Sequence, residues 1–460
     1  MLKKYRIVMQ YTNEDGEFTD VNIIDEGCVK NPERIIDLGF RHVEQIQILR
    51  KIQDSLLRAQ SVYLKEDITY CPQCNRKLIK NGTTKSTFNA VFTDHKVPVY
   101  RLLCTQCKWQ SVPSINSLFG THMHPDLTKL QCEHAGEKSY KKAETDLNKQ
   151  SGGEKRTVNS TMTLHGVVEQ VGNYISAHHD MRLPETVKPT AELVLQVDGG
   201  HIKAKDPDAR SFEAMTSVVY NPDNIKPKAV KKVISLEEFK KTTKDDFRGE
   251  ITRKHCAASA LDDHQEQIKK LTLLAAKKEG LTKTTSLIAL SDGAQNCWNV
   301  IDSLEVHCAT ITRILDWFHI AMKFQTISLP EKQRSILDRA KWGLWNGNAN
   351  LAIERLNELN KEILTDKNKE KISKLINYIN NNKDKIVNYS ERKRNGLVFT
   401  SNIAECTVES LINQRCKGQQ HMRWSREGVH SLLQIRAAMA STDWVVNWEN
   451  YVTNAYPRAS

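Results

Sequence analysis

The sequence predicts a multidomain α/β protein, and three observations carry that reading. AELVLQVDGG (191–200) and SLIALSDGAQNCW (286–298) are continuous apolar runs that each stop at an aspartate, as strands buried in an α/β sheet do. Two Cys-x-x-Cys pairs, CPQC and CTQC, stand about thirty residues apart with strand-like segments between them. A chain of 460 residues also exceeds the roughly 250–300 at which a single core stops growing, so three or four units are expected.

Composition narrows the classes. Hydrophobic residues make up 39%, enough for a globular protein, and no apolar run approaches the about 18 residues a membrane span needs. The apolar part of the N-terminal MLKKYRIVMQYTNEDGE is short and interrupted, unlike a secretory signal, so a cytoplasmic protein with no membrane partner is expected. A net charge of +12 favours a polyanionic partner, because Lys and Arg release counterions condensed on phosphates. Eleven cysteines without a signal point to thiols or metal ligands rather than a disulfide framework.

Residues 1–65 read as a hairpin plus a helix: KYRIVMQYT and FTDVNIID flank the turn residues NEDGE, and Ile35, Ile36, Phe40, Val43, Ile46 and Leu49 recur at helical intervals from Pro32 to about Gln60. Residues 66–120 read as a zinc ribbon. Cys71 and Cys74, with Cys104 and Cys107, supply the four thiolates of a structural Zn²⁺ site, which leaves no open position for water. Cys132, His122 and His124 are substitute ligands by type, although a histidine in a polar loop is more often simply solvated.

Residues 121–180 read as a helix-turn-helix-like DNA-binding region, in which SYKKAETDLNKQSGG forms one helix and TVNSTMTLHGVVEQVGNYI the next. Any packed helix pair shares that pattern. HHDMRLPETVKPT, with two prolines and no periodicity, reads as a linker.

From Ala191 the order is strand, strand, strand, helix, strand, helix, strand, with SFEAMTSVVY, KAVKKVISLEEF and CATITRILDWFH as further strand candidates. In open α/β sheets, sites form beyond strand ends, so Asp198 and Asp292 can meet at one edge. Taken singly, each Asp-Gly is equally a turn or a helix cap. Residues 191–325 and 397–450 are expected to form this domain, interrupted at 326–396 by an all-helical insertion in which Trp342 and Trp345 read as ordinary core. In TSNIAECTVESLINQRC, a helix from Ile403 to about Cys416 carries Glu405 in its first turn and Glu409 on the same face. Arg415, Lys417, Arg423 and Arg426 in RCKGQQHMRWSREG read as phosphate contacts or a solvated face.

VDGG at Asp198, LSDGAQNCW at Asp292, LDWFH at Asp316 and His319, and TSNIAE at Glu405 followed by RCKGQQHMRW together resemble the Mutator-like branch of bacterial insertion-sequence transposases, most closely the Kra-type group. The resemblance covers roughly Ala191 to Trp448, and the cysteine pairs and SYKKAETDL upstream resemble that group as well. It implies an RNase H-like catalytic domain in which Asp198, Asp292 and Glu405, with Glu409 as the competitor for the third place, hold two Mg²⁺ (or Mn²⁺) ions. It also implies that Asp316 and His319 lie near the site, supporting it rather than reacting, and that the insertion contacts DNA. Chemistry gives a separate reason for the metal: converging carboxylates repel unless cations lie between them, and magnesium prefers hard oxygen ligands. The expected function is a DNA transposase that cleaves and joins strands, with double-stranded DNA (element ends and target) as partner and a homo-oligomer as the working form. A nuclease without strand transfer and a non-catalytic DNA-binding derivative are the alternatives.

Overall fold

The computed structural model describes residues 3–29, 31–178, 187–226, 250–362, 365–400, 409–417, 422–441 and 443–456. It divides into two compact units, Met1–Val171 with Trp448–Ser460, and Gly172–Asn447. Both mix helices with strands, as an α/β chain should.

In the first unit, β1 (Lys4–Thr12) and β2 (Phe18–Cys28) pair antiparallel and α1 (His42–Gln60) packs beside them. The helix starts ten residues after Pro32, because Gly39 adopts a left-handed φ of +74° that ends any continuous helical path. Ile35, Ile36 and Phe40 therefore lie outside the helix, and of the six residues set at helical intervals only Ile46 is buried. A second antiparallel ribbon, β3 (Ile79–Asn89) with β4 (Asp94–Leu103), buries Val97 and Val99 against Ile115 of the one-turn helix α2 (Ile115–Phe119).

Three helices follow: α3 (Pro125–Glu137), α4 (Tyr140–Gln150) and α5 (Thr161–Ala177). The pair expected to form the helix-turn-helix, α4 and α5, is joined by the long segment 151–160, whereas such motifs use about three or four residues. The tight connection lies between α3 and α4, where Ser139 caps α4.

The second unit is built on a five-stranded mixed sheet. Its strands are β5 (Glu192–Lys203), β6 (Ser211–Tyr220), β9 (His255–Ser259), β10 (Ser286–Ser291) and β11 (Thr310–Leu315), in the order β11-β10-β5-β6-β9; β7 (Ile225–Lys226) and β8 (Glu250–Ile251) form a separate short pair. β10 runs parallel to both β5 and β11, while β5–β6 and β6–β9 are antiparallel. Leu193, Val194, Leu195 and Val197 of β5 are all buried, since a central strand covered on both faces needs apolar residues at consecutive positions. Edge strand β11 instead alternates between exposed and covered residues over its first half.

β5 does not end at Asp198 as its glycines suggest. Gly199 and Gly200 pair with Met215 and Ala214 of β6, which carries the strand on to Lys203. The strand candidate at 228–239 lies outside the described residues.

Helix α6 (Glu266–Lys278) lays Ile268, Leu271 and Leu274 on β6 and β9, and α7 (Gln295–Asp302) follows β10. After β11 come α8 (Trp317–Gln325), then α9 (Glu331–Trp345), α10 (Ala349–Glu362), α11 (Asp366–Asn381) and α12 (Tyr389–Arg394). Leu337 and Leu344, Leu356 and Leu359, and Ile372, Leu375 and Ile379 form their shared apolar seam at the three-and-four spacing of packed helices. Trp342 is not part of this core: it is 59% exposed, and Trp345 alone turns inward, against Trp317, Tyr389 and Phe399. A π-helix (Glu409–Lys417) and α13 (Arg426–Ala440) pack together, and α14 (Trp444–Ala455) is the last helix among the described residues. Among the described residues no helix is long and apolar enough to cross a membrane.

Candidate functional site

In the first unit the two Cys-x-x-Cys pairs fold into matching turns. The Cys71 amide donates to Arg76 O and the Asn75 amide to Cys71 O, while the Cys104 amide donates to Trp109 O and the Lys108 amide to Cys104 O. Each turn closes through a residue with left-handed backbone, Asn75 at φ 56° and Lys108 at φ 61°. The sulfurs of Cys71, Cys74, Cys104 and Cys107 all lie within 4.8 Å of one another. Three of the separations are 3.3, 3.5 and 3.6 Å, close to the roughly 3.8 Å edge of a tetrahedron with Zn–S bonds of about 2.3 Å. Backbone amides around Cys104, Cys107 N–H first, pull its thiol down to about 6, while at Cys107 the Trp109 amide is outweighed by burial and the neighbouring sulfurs, which push the thiol up, as expected of sulfurs crowded round one point.

These four cysteines could hold a metal ion such as zinc. Cys132 is buried in α3, and His124 is spent as that helix's cap, its Nδ1 accepting from the Asp126 amide. Neither they nor His122 join the cluster.

In the second unit, β10 pairs Ser291 with Val197 of β5 on one side and with Leu315 of β11 on the other. The next residue along each of these three parallel strands is an aspartate: Asp198, Asp292 and Asp316. A register set by apolar residues thus delivers three acids side by side.

They are held differently. Asp292 Oδ1 accepts from the Ala294 amide at 2.9 Å and from Ser291 Oγ at 3.3 Å. Asp198 Oδ1 accepts from the Gly199 amide at 2.7 Å. Asp316 is fully buried and caps α8, accepting from the Phe318 and His319 amides, with His319 Nδ1 at 3.6 Å from its Oδ2. LDWFH is therefore the start of a helix as well as the end of a strand, and Asp316 is committed to the backbone.

Burial pushes the Asp198 carboxyl up to about 6, and the charges of Asp292 and Asp316 add to it against the Gly199 amide and His319. Among the described residues, however, only the four cysteines come close enough together to make a three-ligand set for one ion. Glu405 lies outside the described residues, and the described chain resumes at Glu409. The π-helix that begins there packs Ile412 on Gly200, two residues from Asp198, where an added Cβ would sit 3.1 Å from Ile412 Cδ1. Arg436 of α13 fixes the start of this helix by donating to the carbonyls of Ser410 and Leu411.

A fourth acid beside the cluster has no signal in the sequence. Glu213 of β6 presses its carboxylate on Gly199, where a Cβ would meet Oε1 at 2.4 Å, and accepts from Asn296 Nδ2 at 2.6 Å. It stands inside an apolar strand, and only the β5–β6 pairing brings it to the site. Arg415, expected at a phosphate-contacting surface, is fully buried with its guanidinium 5.0 Å from the Trp424 ring centre. Arg426 is tied to the Ala260 carbonyl and lies over Phe212.

A family model described as an uncharacterised protein family (UPF0236) matches residues 219–450, just over half of the chain. The match includes Asp292, Asp316, His319 and Glu405, and begins after Asp198. No curated protein matches the chain.

Proposed function

The chain belongs to the uncharacterised family UPF0236, and we propose that it is a DNA transposase that cleaves strands at insertion-sequence ends and transfers the 3′ ends to target DNA. The placement of Asp198 and Asp292 at equivalent positions on neighbouring parallel strands carries the reading. The strand order β11-β10-β5-β6-β9, with the first three strands in sequence antiparallel and the last two parallel to β5, supports an RNase H-like catalytic domain.

Asp198, Asp292 and Glu405 would hold two Mg²⁺ or Mn²⁺ ions. The half-buried, mutually repelling pair of aspartates fits hard divalent cations, which neutralise it through the oxygen ligands they prefer. When bound, such ions supply activation of the attacking hydroxyl and charge neutralisation at the leaving 3′ oxygen. The chain's contribution is rigid placement of the carboxylates, because misplacement by about an ångström costs on the order of a hundredfold in rate. Asp316 fixes the start of α8, and His319 Nδ1 lies 3.6 Å from its carboxylate. The thiolate cluster and helices α3–α5 supply the DNA-recognition region, the insertion adds contacts near the acids, and a homo-oligomer handles two ends together.

The deciding experiment incubates the full chain with labelled duplex from the DNA flanking its own gene, a target plasmid and Mg²⁺ or Mn²⁺. Joined products are expected, and Asp198→Asn, Asp292→Asn and Glu405→Gln should each abolish them. Cleavage without joining makes it a nuclease. Binding without cleavage makes it a DNA-binding derivative of a transposase.

A further inference from the structure

We infer that the helical insertion is a brace for the acid-bearing strand ends, with Tyr378 and Tyr389 as positioning residues for Asp292 and Asp316; this rests on the reading of those acids as part of a divalent-cation site. The Ser291 carbonyl that ends β10 still takes the Asp316 amide, but the Asp292 carbonyl just past it and the Leu315 carbonyl that ends β11 need donors from elsewhere. The insertion provides them. Tyr378 of α11 donates its hydroxyl to Asp292 O at 2.7 Å, and Tyr389 of α12, fully buried, donates to Leu315 O, also at 2.7 Å.

Two further contacts lock the same loop. Trp298 Nε1 of α7 donates to Asn382 Oδ1 at 3.0 Å, and Asn382 Nδ2 donates to Tyr378 O at 3.0 Å. Gly293, at φ +95°, lies so close beneath these residues that a Cβ would sit 2.9 Å from Tyr378 Cε2 and 3.0 Å from Asn382 Nδ2. The Tyr378 ring also carries Lys323 of α8 at 4.3 Å from its centre, so one side chain touches both the Asp292 loop and the helix that Asp316 caps. A rigid hydroxyl-to-carbonyl bond on each strand end restricts how far the attached carboxylates can swing. That is the job outer groups perform around ligands, and losing one typically costs about 10- to 100-fold in metal affinity.

The test is Mn²⁺ titration of the full-length protein by calorimetry, comparing wild type, Tyr378→Phe, Tyr389→Phe and the exposed α11 control Lys374→Ala, whose side chain is 74% exposed. Tyr378→Phe keeps the ring and removes only the donor. Affinity reduced about tenfold or more in Tyr378→Phe, with Lys374→Ala unchanged, supports the brace. Unchanged affinity in Tyr378→Phe overturns it. If wild type takes up no Mn²⁺, the cation-site reading fails, and amide exchange over residues 290–296 decides the brace by itself. Faster exchange there in Tyr378→Phe, with β5 unaffected, supports it, and identical exchange overturns it.

Discussion

Asp198 and Asp292 stand in equivalent positions on two parallel strands, each one residue beyond the paired Val197 and Ser291. The pairing that places them also crowds two negative charges, and burial makes the crowding costly. That cost has measurable consequences.

Asp198 should make stability depend on pH and on divalent cations. Its folded carboxyl is raised to about 6 from 3.8, so the fold loses stability as pH rises through that interval and carries a penalty of up to about 3 kcal/mol above it. Thermal melts should show millimolar Mn²⁺ raising Tm at pH 7.5 and having little effect near pH 5. Asp198→Asn should raise the metal-free Tm at pH 7.5 and remove the Mn²⁺ response. A melt insensitive to Mn²⁺ at both pH values contradicts this.

The thiolate cluster should carry one tightly bound metal per chain. Elemental analysis of the purified protein is expected to give one zinc, and Cys74→Ser or Cys104→Ser should lose it. Structural zinc sites contribute folding free energy directly, about 10–16 kcal/mol in isolated finger peptides, so these variants should melt earlier and in a separate first step. Zinc retained by both serine variants would count against a four-thiolate site.

The two cysteine turns make a smaller, sharper prediction. Lys108 sits at φ 61°, where a side chain costs roughly 1 kcal/mol relative to glycine. Lys108→Gly should therefore raise the melting temperature of the first unit or leave it unchanged, while Lys108→Val should lower it. The same pair of substitutions at Asn75 should give a weaker gain, because asparagine tolerates this conformation better than lysine.

A buried ion network on β9 should shape stability at the pH extremes. His255 Nδ1 lies 2.6 Å from Glu279 and its Nε2 3.2 Å from Asp443, whose other oxygen is 2.5 Å from Lys278 Nζ; Arg253 also approaches Glu279, at 3.5 Å. Burial pushes the His255 ring down, but hydrogen bonds to Asp443 and Glu279 outweigh it and leave its pKa raised above 6.5. Its contribution is thus full below about pH 6.5 and fades as pH rises through the folded value. Asp443, burial notwithstanding, is lowered by His255 and Lys278, so its contribution is present above 3.8 and lost on further acidification. Urea unfolding should show His255→Ala costing about 1.5–3 kcal/mol at pH 6 and less at pH 8.5, because it removes the charge-assisted hydrogen bonds to Glu279 and Asp443 while Arg253 and Lys278 keep one contact to each. An equal loss at both pH values would show that the ring acts by packing alone.

Legibility differed by interaction range. The hairpin Lys4–Cys28, the cysteine turns and the helices of the insertion rest on contacts within a few residues, and their spacing in the sequence marks them. Boundaries were less legible. Pro32 reads as a helix start until Gly39 turns left-handed, and Asp198-Gly-Gly reads as a strand end until β6 pairs with it.

Apolar runs that reach Asp198 and Asp292, and cysteines at two-residue gaps, are determined by the sequence alone, because each is a local pattern. What only the tertiary structure decided is which side chains those patterns meet. It buried Arg415 against Trp424, brought Glu213 to Gly199 and set Tyr378 under Asp292. Strand register and helix docking fix those meetings by burying apolar area between segments as far apart as the 86 residues from Asp292 to Tyr378, and no short-range pattern in the sequence encodes that sum.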